Sequence, residues 1–301
     1  MAHIVFLGTP EAAVEPLRTL VAAGHDIALV VTRADKRRGR GSTLVPSPVK
    51  AAAVELGLPV SDRLPDAVGS GAELGVVVAY GRIIPADILE QLPMVNLHFS
   101  RLPRWRGAAP VERAILAGDE VTGVCLMAVD VGLDTGDVYA EEDTAIGESE
   151  SAEELRTRLV GIGSRLLEVH LAGGLAGLPT PHPQVGEPTY AGKIRPEELH
   201  LQWESDAVQL HRVVRLGRAW TTFRGKRLRV LRAATLPTAA SDGPAAAPEG
   251  ASPGALHGEE VAAGEGTRLR LLTVQPEGRQ PMEAADWLRG VRPEAGERLG
   301  D

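Results

Sequence analysis

Two short apolar runs with a helical segment between them open the chain, and this order limits the fold more than any other feature. His3–Leu7 is a mostly apolar run that ends at Gly8, which is typical of a buried strand. Pro10–Ala23 repeats apolar residues at helical spacing, and Ile27–Val31 is a second strand-like run. A strand, a helix and a strand in this order predict a Rossmann-like α/β fold with a doubly wound parallel sheet.

The same alternation continues through the first two thirds of the chain. Apolar runs that predict strands are separated by segments whose spacing predicts helices. The predicted strands are Gly75–Ala79, Val95–Phe99 and Val121–Val129, and the predicted helices are Pro85–Gln91, Pro110–Ala117 and about 150–171.

The pattern changes after Pro179–Pro188, a Pro- and His-rich segment that we interpret as an extended connector. Beyond it, Ala207–Leu216 has helical spacing, and several short strand patterns with turn residues follow. Regular short strands of this kind predict a second, smaller β domain. We expect a linker at 189–205 between a first domain at 1–188 and a second at 206–301.

A single cysteine, Cys125, excludes an internal disulfide and a cysteine-based zinc site. A reducing compartment fits this composition, so we expect a cytoplasmic protein that needs no metal. No run of 18 uncharged apolar residues occurs, and the N-terminus lacks the pattern of a signal peptide. We therefore expect no membrane partner.

Charge is unevenly distributed in this acidic chain of net charge -8. Arg212–Arg232 contains eight Lys and Arg residues and no acidic residue, and Arg33–Lys50 contains six with one acidic residue, Asp35. Local basic patches on an acidic protein indicate a specific anionic ligand rather than general coating of nucleic acid. Solvation of a helix face and of strand edges is the alternative interpretation.

The sequence of the first turn excludes a dinucleotide, which is the ligand that a strand, a helix and a strand at the N-terminus usually indicate. Gly8-Thr9-Pro10-Glu11 has one glycine where a dinucleotide fingerprint needs three. Pro10 removes an amide that would hold a pyrophosphate, and Glu11 adds negative charge near the helix N-terminus. We therefore predict a different ligand at the carboxyl ends of the strands.

Polar side chains with catalytic potential lie at the end of the predicted strand Val95–Phe99. Asn96 and His98 are two residues apart, so their side chains point to the same side of the sheet. An amide and an imidazole directed at one point can stabilise an oxyanion. A structural histidine is the alternative.

An acidic, glycine-containing loop, Asp130–Asp137, follows the predicted strand Val121–Val129. If the two strands are neighbours, Asp134 approaches His98, keeps the imidazole protonated and accepts a proton. A hairpin turn whose aspartates cap backbone amides is the alternative.

Motifs distributed over almost the whole length carry a resemblance to a known family. LPRWRGAAP at 102–110 and DVGLDTGD at 130–137 are the most specific of them. The chain resembles the methionyl-tRNA formyltransferase family of bacteria and organelles. The other matching stretches are Phe6–Pro10, Gly39–Gly41, Pro46–Lys50, Val76–Gly81, Thr189–Ala191 with Lys193, and Leu271–Pro276.

The resemblance implies a reaction and a set of site residues. A formyl group would pass from 10-formyltetrahydrofolate to the α-amino group of methionyl initiator tRNA, for translation initiation. Asn96, His98 and Asp134 match the family's catalytic triad. The residues that match its folate-contacting segments are Ser100, Arg101, Leu102 and Pro103, together with Val78 and Tyr80.

The resemblance also implies how tRNA is bound. Residues 1–188 would form the catalytic domain, and residues 206–301 would form an OB-like β-barrel, a fold that commonly binds nucleic acid. The basic loop matches an insertion that reaches the tRNA acceptor stem. Its carried-over residues are Lys36, Arg37, Arg38 and Arg40. We expect a monomer whose partners are methionyl initiator tRNA and the small folate co-substrate.

Two residues depart from the family's pattern, and two rival functions stay open. Phe99 stands where a small residue is usual and would narrow the donor pocket. Arg101 stands where leucine is usual, and we interpret it as a partner for the glutamate tail of folate. One rival is a formyltransferase for an amino sugar or a glycinamide nucleotide, which the two basic regions disfavour. The other is a non-catalytic nucleic-acid-binding module, which leaves both specific motifs unexplained.

Overall fold

The computed structural model describes residues 1–37, 44–236, 251–294 and 296–300. These residues divide into two units, each with its own sheet. The first unit comprises Met1–Val111, Glu120–Ala145 and Leu155–Gly192, and the second comprises Glu112–Asp119, Ile146–Glu154 and Lys193–Asp301.

The first eleven strands and six helices occupy the chain up to Ala191. Four of these strands belong to two-stranded pairs, β3 with β4 and β8 with β11, and the others form one sheet. The strands are β1 His3–Gly8, β2 Asp26–Val31, β3 Lys36–Arg37, β4 Leu44–Val45, β5 Val60–Ser61, β6 Leu74–Val78, β7 Met94–His98, β8 Arg106–Gly107, β9 Val121–Ala128, β10 Val138–Ala145 and β11 Tyr190–Ala191. The helices are α1 Val14–Ala22, α2 Pro48–Glu55, α3 Asp66–Gly69, α4 Ala86–Leu89, α5 Pro110–Ala117 and α6 Ala152–Leu171.

The main sheet of the first unit has the strand order β10-β9-β7-β6-β1-β2-β5. The chain builds outward from β1 through β2 to β5, and then on the other side from β6 to β7. The order therefore reverses between β1 and β6, and the carboxyl ends of these strands border the crevice where open α/β sheets bind ligands. An α/β fold is confirmed.

The prediction of a wholly parallel sheet is wrong at one edge. β9 runs antiparallel to β7, and β10 runs antiparallel to β9. The six central residues of β9 are buried, and such a continuous apolar run is typical of a parallel strand, which is why the sequence pattern misled. A short hairpin connection between β9 and β10 requires antiparallel pairing.

Helices cover both faces of this sheet. On one face, Val5 of β1 and Val77 of β6 belong to a buried cluster with Ile88 of α4. On the other face, α6 lies against Leu97 of β7. A Cβ at Gly163 of α6 would stand 3.0 Å from the Leu97 side chain, so glycine allows the close approach of helix and sheet.

Helix α6 is 20 residues long and starts with a reciprocal cap. The Ser151 hydroxyl accepts a hydrogen bond from the backbone amide of Glu154, and the Glu154 carboxylate accepts one from the amide of Ser151. This pair satisfies two amides that the first helical turn leaves without partners. None of the helices in the described ranges combines the length and the apolar character needed to cross a membrane.

The second unit contains an antiparallel sheet with the order β12-β13-β16-β15-β14, and β17 pairs with β16. Its core includes an edge-to-face contact between Phe223 and Trp287, whose ring centroids are 5.1 Å apart. Among the described strands nothing pairs β12 with β14, so the predicted OB-like barrel is not confirmed, whereas a separate β domain is. The elements are α7 Ala207–Val214, β12 Trp220–Phe223, β13 Lys226–Thr235, β14 Leu256–His257, β15 Glu260–Ala262, β16 Arg268–Pro276, β17 Met282–Glu283 and α8 Ala284–Val291.

Candidate active site

Two predicted residues, Asn96 and His98, lie at the carboxyl end of β7, as their spacing requires. In the pairing of β7 with β9, Asn96 is opposite Met127 and His98 is opposite Cys125. Paired residues in a sheet share a face, so these four side chains lie on one side. Cys125 and Met127 are buried and form an apolar cluster with Leu102 and Val138. This cluster is the floor of the candidate site.

The hydrogen bond of His98 with a backbone carbonyl fixes the orientation of its ring. His98 Nε2 lies 2.9 Å from the carbonyl oxygen of Trp105. A carbonyl only accepts, so Nε2 carries a proton and donates it. The amide of Trp105 in turn donates to Thr189 Oγ1 over 2.9 Å. The other ring nitrogen, Nδ1, therefore faces the rest of the site.

Asp134 lies beside that second nitrogen. Its Oδ2 is 3.6 Å from His98 Nδ1, and the same oxygen accepts a 2.8 Å hydrogen bond from the amide of Gly107. The separation of 3.6 Å is an ion-pair distance and is longer than a hydrogen bond. The carboxylate therefore faces the imidazole without making a hydrogen bond to Nδ1.

The loop that carries Asp134 has a constrained backbone. Asp134 has a φ of +51°, in the left-handed region that non-glycine residues adopt uncommonly. A Cβ at Gly136 would stand 2.0 Å from the carbonyl oxygen of Ala128, so only glycine fits there. The loop joins the antiparallel strands β9 and β10. It is thus the hairpin connection considered above, and it also directs Asp134 towards His98.

The three predicted catalytic residues are therefore close to one another, although their roles stay predictions. His98 is buried and Asp134 is largely buried, whereas Asn96 is partly exposed. Within the described residues, the Asn96 carboxamide makes no hydrogen bond. The site thus contains one amide, one imidazole and one carboxylate around a partly open strand end.

Three groups that hold this arrangement were not predicted from the sequence: the Trp105 carbonyl, the Gly107 amide and the Gln184 side chain. The carboxamide nitrogen of Gln184 donates to the carbonyl oxygens of Asp134 and Gly136 over 2.9 and 2.8 Å. Backbone groups leave no signal in a sequence. Gln184 lies in the segment predicted only as an extended connector, so its pattern gave no indication of these contacts.

Val78 and Tyr80, predicted to contact folate, occupy the end of β6 beside the crevice. Val78 is buried within the strand. The Tyr80 ring belongs to the buried apolar cluster that contains Val77 and Ile88, and burial raises the pKa of its hydroxyl. Ala79 and Gly81 on either side of Tyr80 are exposed.

The predicted folate-contacting segment at 100–103 forms a tight turn after β7. Ser100 is buried and donates a 2.6 Å hydrogen bond to the carbonyl of Arg104, and Leu102 lies in the floor cluster. The Leu102–Pro103 peptide bond is cis. Arg101 pairs with Asp143 of β10 at 2.8 Å. This ion pair competes with the predicted pairing of Arg101 with the folate tail.

The buried cysteine beneath His98 is not a nucleophile. Burial, as the largest cause, raises the pKa of the Cys125 thiol to about 12. Its Sγ donates to the carbonyl of Ser100 over 3.2 Å. The thiolate is therefore scarce at neutral pH, and covalent chemistry through sulfur is excluded.

The predicted tRNA-binding residues are only partly described. Lys36 and Arg37 form β3, are exposed and pair with β4, whereas Arg38 and Arg40 lie outside the described residues. Lys50 bonds both carboxylate oxygens of Asp35 at 2.8 Å. This pair neutralises the acidic residue in the basic loop, so the positive charge of Lys36 and Arg37 dominates there.

Residues 46–50 anchor the basic loop to the rest of the first unit. Ser47 caps α2 by accepting a hydrogen bond from the amide of Lys50, and Pro48 occupies the first helical turn. The hydroxyls of Ser47 and Thr32 are 2.8 Å apart in the interior. The end of β2 and the start of α2 are thereby tied together at the base of the loop.

Family profiles cover most of the chain. The profile described as "Formyl transferase" matches residues 2–169, and "Formyl transferase, C-terminal domain" matches residues 193–292. Among curated relatives, a methionyl-tRNA formyltransferase of Methylobacterium sp. (strain 4-46) is 43% identical, over 98% of each chain. One of Streptomyces coelicolor is 41% identical, over 99% of each chain.

Solved structures share the fold at low identity. An N-formyltransferase from Helicobacter canadensis, in complex with folinic acid and dTDP-3-aminofucose, has a TM-score of 0.69 and 16% identity, covering 92% of this chain and all of its own. HypX from Aquifex aeolicus, in complex with tetrahydrofolic acid, has a TM-score of 0.63 and 17% identity, covering 98% of this chain and 48% of its own. With two family profiles and relatives above 40% identity over nearly the full length, the chain belongs to the formyl transferase family.

Proposed function

We propose that this chain is a methionyl-tRNA formyltransferase, which transfers the formyl group of 10-formyltetrahydrofolate to the α-amino group of methionyl initiator tRNA. The observation that carries the proposal is the approach of Asp134 Oδ2 to within 3.6 Å of His98 Nδ1 beside Asn96. Relatives with this activity align over nearly the whole chain.

The residues present at this strand end fit a folate donor. Bound 10-formyltetrahydrofolate supplies a formyl carbon that an amine can attack. The Asn96 carboxamide is partly exposed and is not engaged by the described residues, so it is available to the formyl oxygen. The backbone of Val78–Gly81 and the turn at 100–103 would hold the folate. Both segments lie at the carboxyl ends of adjacent strands, β6 and β7.

Asn96 and His98 would stabilise the negative charge that develops on the formyl oxygen. Two donors already fixed in direction need no reorganisation when that charge appears. His98 Nε2 is held by the Trp105 carbonyl, so the donor offered to the formyl oxygen is Nδ1. Asn96 would contribute its carboxamide N–H.

Asp134, which faces His98, would accept the proton of the attacking amine, directly or through water. An α-amine has a reference pKa of about 7.7–8.0, so a useful neutral fraction is present near pH 7. The amine would lose this proton as it forms its new bond to the formyl carbon. The bond between that carbon and the folate nitrogen would then break, and the nitrogen would take up a proton and leave as tetrahydrofolate. A carboxylate held by the Gly107 amide lies where it can take up that proton.

The two basic regions would bind the tRNA backbone. Lys36 and Arg37, with Arg38 and Arg40, would reach the acceptor stem, and the second unit, for which we propose an OB-like nucleic-acid-binding role, would hold the tRNA through basic residues of 212–232. Contacts of this kind with phosphates position a nucleic acid without reading its sequence.

The experiment that tests this proposal is a formyl-transfer assay with 10-formyltetrahydrofolate as the donor. Methionyl initiator tRNA and a dTDP-linked amino sugar are offered as acceptors at equal concentration. We expect formyl-methionyl-tRNA as the product and no measurable formylation of the sugar. Formylation of the sugar alone would establish the rival activity, and tRNA binding without transfer to either acceptor would establish a non-catalytic module.

Neutralising the described part of the basic loop is expected to weaken tRNA binding selectively. Lys36→Ala with Arg37→Ala should raise KM for methionyl-tRNA by about three- to tenfold, because fewer phosphates are neutralised and fewer counterions are released on binding. The slope of log affinity against log salt should fall by about one for each phosphate that is no longer neutralised. Steady-state kinetics at several salt concentrations measure both quantities. Arg40→Ala is expected to act in the same direction.

Arg63→Ala provides the control, since this arginine is exposed and lies 3.9 Å from Asp66 in the same unit. It removes a surface charge outside the basic loop and should leave both KM values unchanged. An increased KM for the folate donor in the loop variant, with an unchanged KM for tRNA, would contradict the assignment.

A further inference from the structure

The side chain of Gln184 connects the two specific motifs of the site. Its carboxamide nitrogen donates to two carbonyl oxygens of the Asp134 loop, those of Asp134 and Gly136. Its carboxamide oxygen accepts from Arg106 Nε over 3.1 Å and from Arg106 Nη2 over 2.7 Å. A glutamine has two donor hydrogens and two acceptor lone pairs, so all of its hydrogen-bonding capacity is used.

The two segments that Gln184 joins both contact the ion pair between Asp134 and His98. Arg106 precedes Gly107, whose amide binds Asp134 Oδ2, and it follows Trp105, whose carbonyl binds His98. The Gln184 amide thus ties the backbone that carries the carboxylate to the segment that orients the imidazole. The separation of 3.6 Å between Asp134 and His98 depends on the relative position of these two segments.

We propose that Gln184 is a positioning residue, which sets the distance and direction of the Asp134 carboxylate relative to His98 without touching a substrate. The inference rests on the proposed catalytic role of Asp134. Hydrogen bonds to the backbone of a hairpin loop fix that loop as a unit. A misplacement of about 1 Å at a reacting group can lower a rate by about a hundredfold.

The most informative substitutions are those that remove the two N–H donors of the Gln184 carboxamide. Gln184→Glu keeps the length of the side chain and an acceptor for Arg106. It replaces the amide nitrogen by an oxygen that faces two carbonyl oxygens, so the loop is released and repelled. Gln184→Met keeps a similar length and removes the contacts to both segments. If one variant folds poorly, the other retains the test.

The test is a double-mutant cycle with Asp134→Asn, measured as single-turnover formyl transfer to methionyl-tRNA. We expect Gln184→Glu and Gln184→Met each to lower the rate constant by about ten- to a hundredfold in an otherwise native chain. KM for methionyl-tRNA and for the donor should change by less than about twofold. In the Asp134→Asn background the same changes at Gln184 should have almost no further effect, because residues that act as a unit are not additive.

Gln91→Glu is the matched control. Gln91 also donates its side-chain amide to a backbone carbonyl, that of Asp87, over 2.6 Å. It should leave the rate constant unchanged. Thermal unfolding of every variant, with midpoints close to that of the native chain, excludes general destabilisation.

A native rate constant in Gln184→Glu would overturn the inference. So would an equal loss of rate with and without the Asp134 carboxylate, because Gln184 would then act on the fold and not through Asp134. Native activity in Asp134→Asn alone would overturn the proposed role of Asp134, and with it the role inferred for Gln184.

Discussion

Replacing His98 by glutamine is expected to lower kcat by about 10²–10³-fold while the protein stays folded, because one donor to the developing negative charge is removed. Glutamine places its side-chain amide near the position of Nε2, where it can still donate to the Trp105 carbonyl. The hydrogen bond that orients the native ring is thereby retained, and the nitrogen that faces the site is removed. Initial rates at saturating donor and methionyl-tRNA measure the effect.

Two further variants separate the functions of the two ring nitrogens. His98→Asn places an amide donor near the position of Nδ1, and we expect it to retain more activity than His98→Gln. His98→Ala removes both nitrogens from a buried position and with them the hydrogen bond to the Trp105 carbonyl, which costs about 0.5–1.5 kcal/mol of stability. If His98→Gln were about as active as the native chain, Nδ1 would have no role in the mechanism. Asn96→Ala tests in the same way whether the Asn96 carboxamide acts as a donor.

Asp134→Asn is expected to lower kcat by about 10²–10⁴-fold, the range typical of removing a general base. Asparagine has the same shape and keeps an acceptor oxygen for the Gly107 amide, so the loop conformation is preserved. It carries no negative charge, so it cannot accept the proton of the amine. The substitution therefore removes the proton acceptor and leaves the geometry of the site intact.

A variant of a second carboxylate in the same loop distinguishes this loss from a structural one. Asp130→Asn is the matched control in the same loop, since this carboxylate caps the amide of Val131 and does not contact His98. A native rate in Asp134→Asn would contradict the assignment.

Elements with a strong local period were predictable from the sequence. β1, α1, β2 and β7 follow from apolar runs or helical spacing, and the structure has them within a few residues. β10, α2 and α8 were not predicted. β10 is an edge strand with exposed charged positions, and α2 and α8 are each eight residues long, so each offers only about two turns of helical pattern.

The three proposed catalytic residues also differ in how far the sequence placed them. Asn96 and His98 were placed together by the period of a strand, which is a local property of the chain. Their distance from Asp134 depends on the pairing of β7 with β9, which the sequence pattern left open. The antiparallel direction of β9 places its hairpin loop where Asp134 reaches His98.

What the sequence by itself determined is the set of candidate catalytic side chains, the α/β order of the first unit and the family to which the chain belongs. The tertiary structure alone decided which groups hold those side chains. The Gly107 amide and Asp134 are 27 residues apart, and Gln184 and Asp134 are 50 apart. Contacts at such separations form only when strands pair and loops pack together, and each has many competing partners in an unfolded chain. The local spacing of apolar residues carries no information about which of these partners each group contacts.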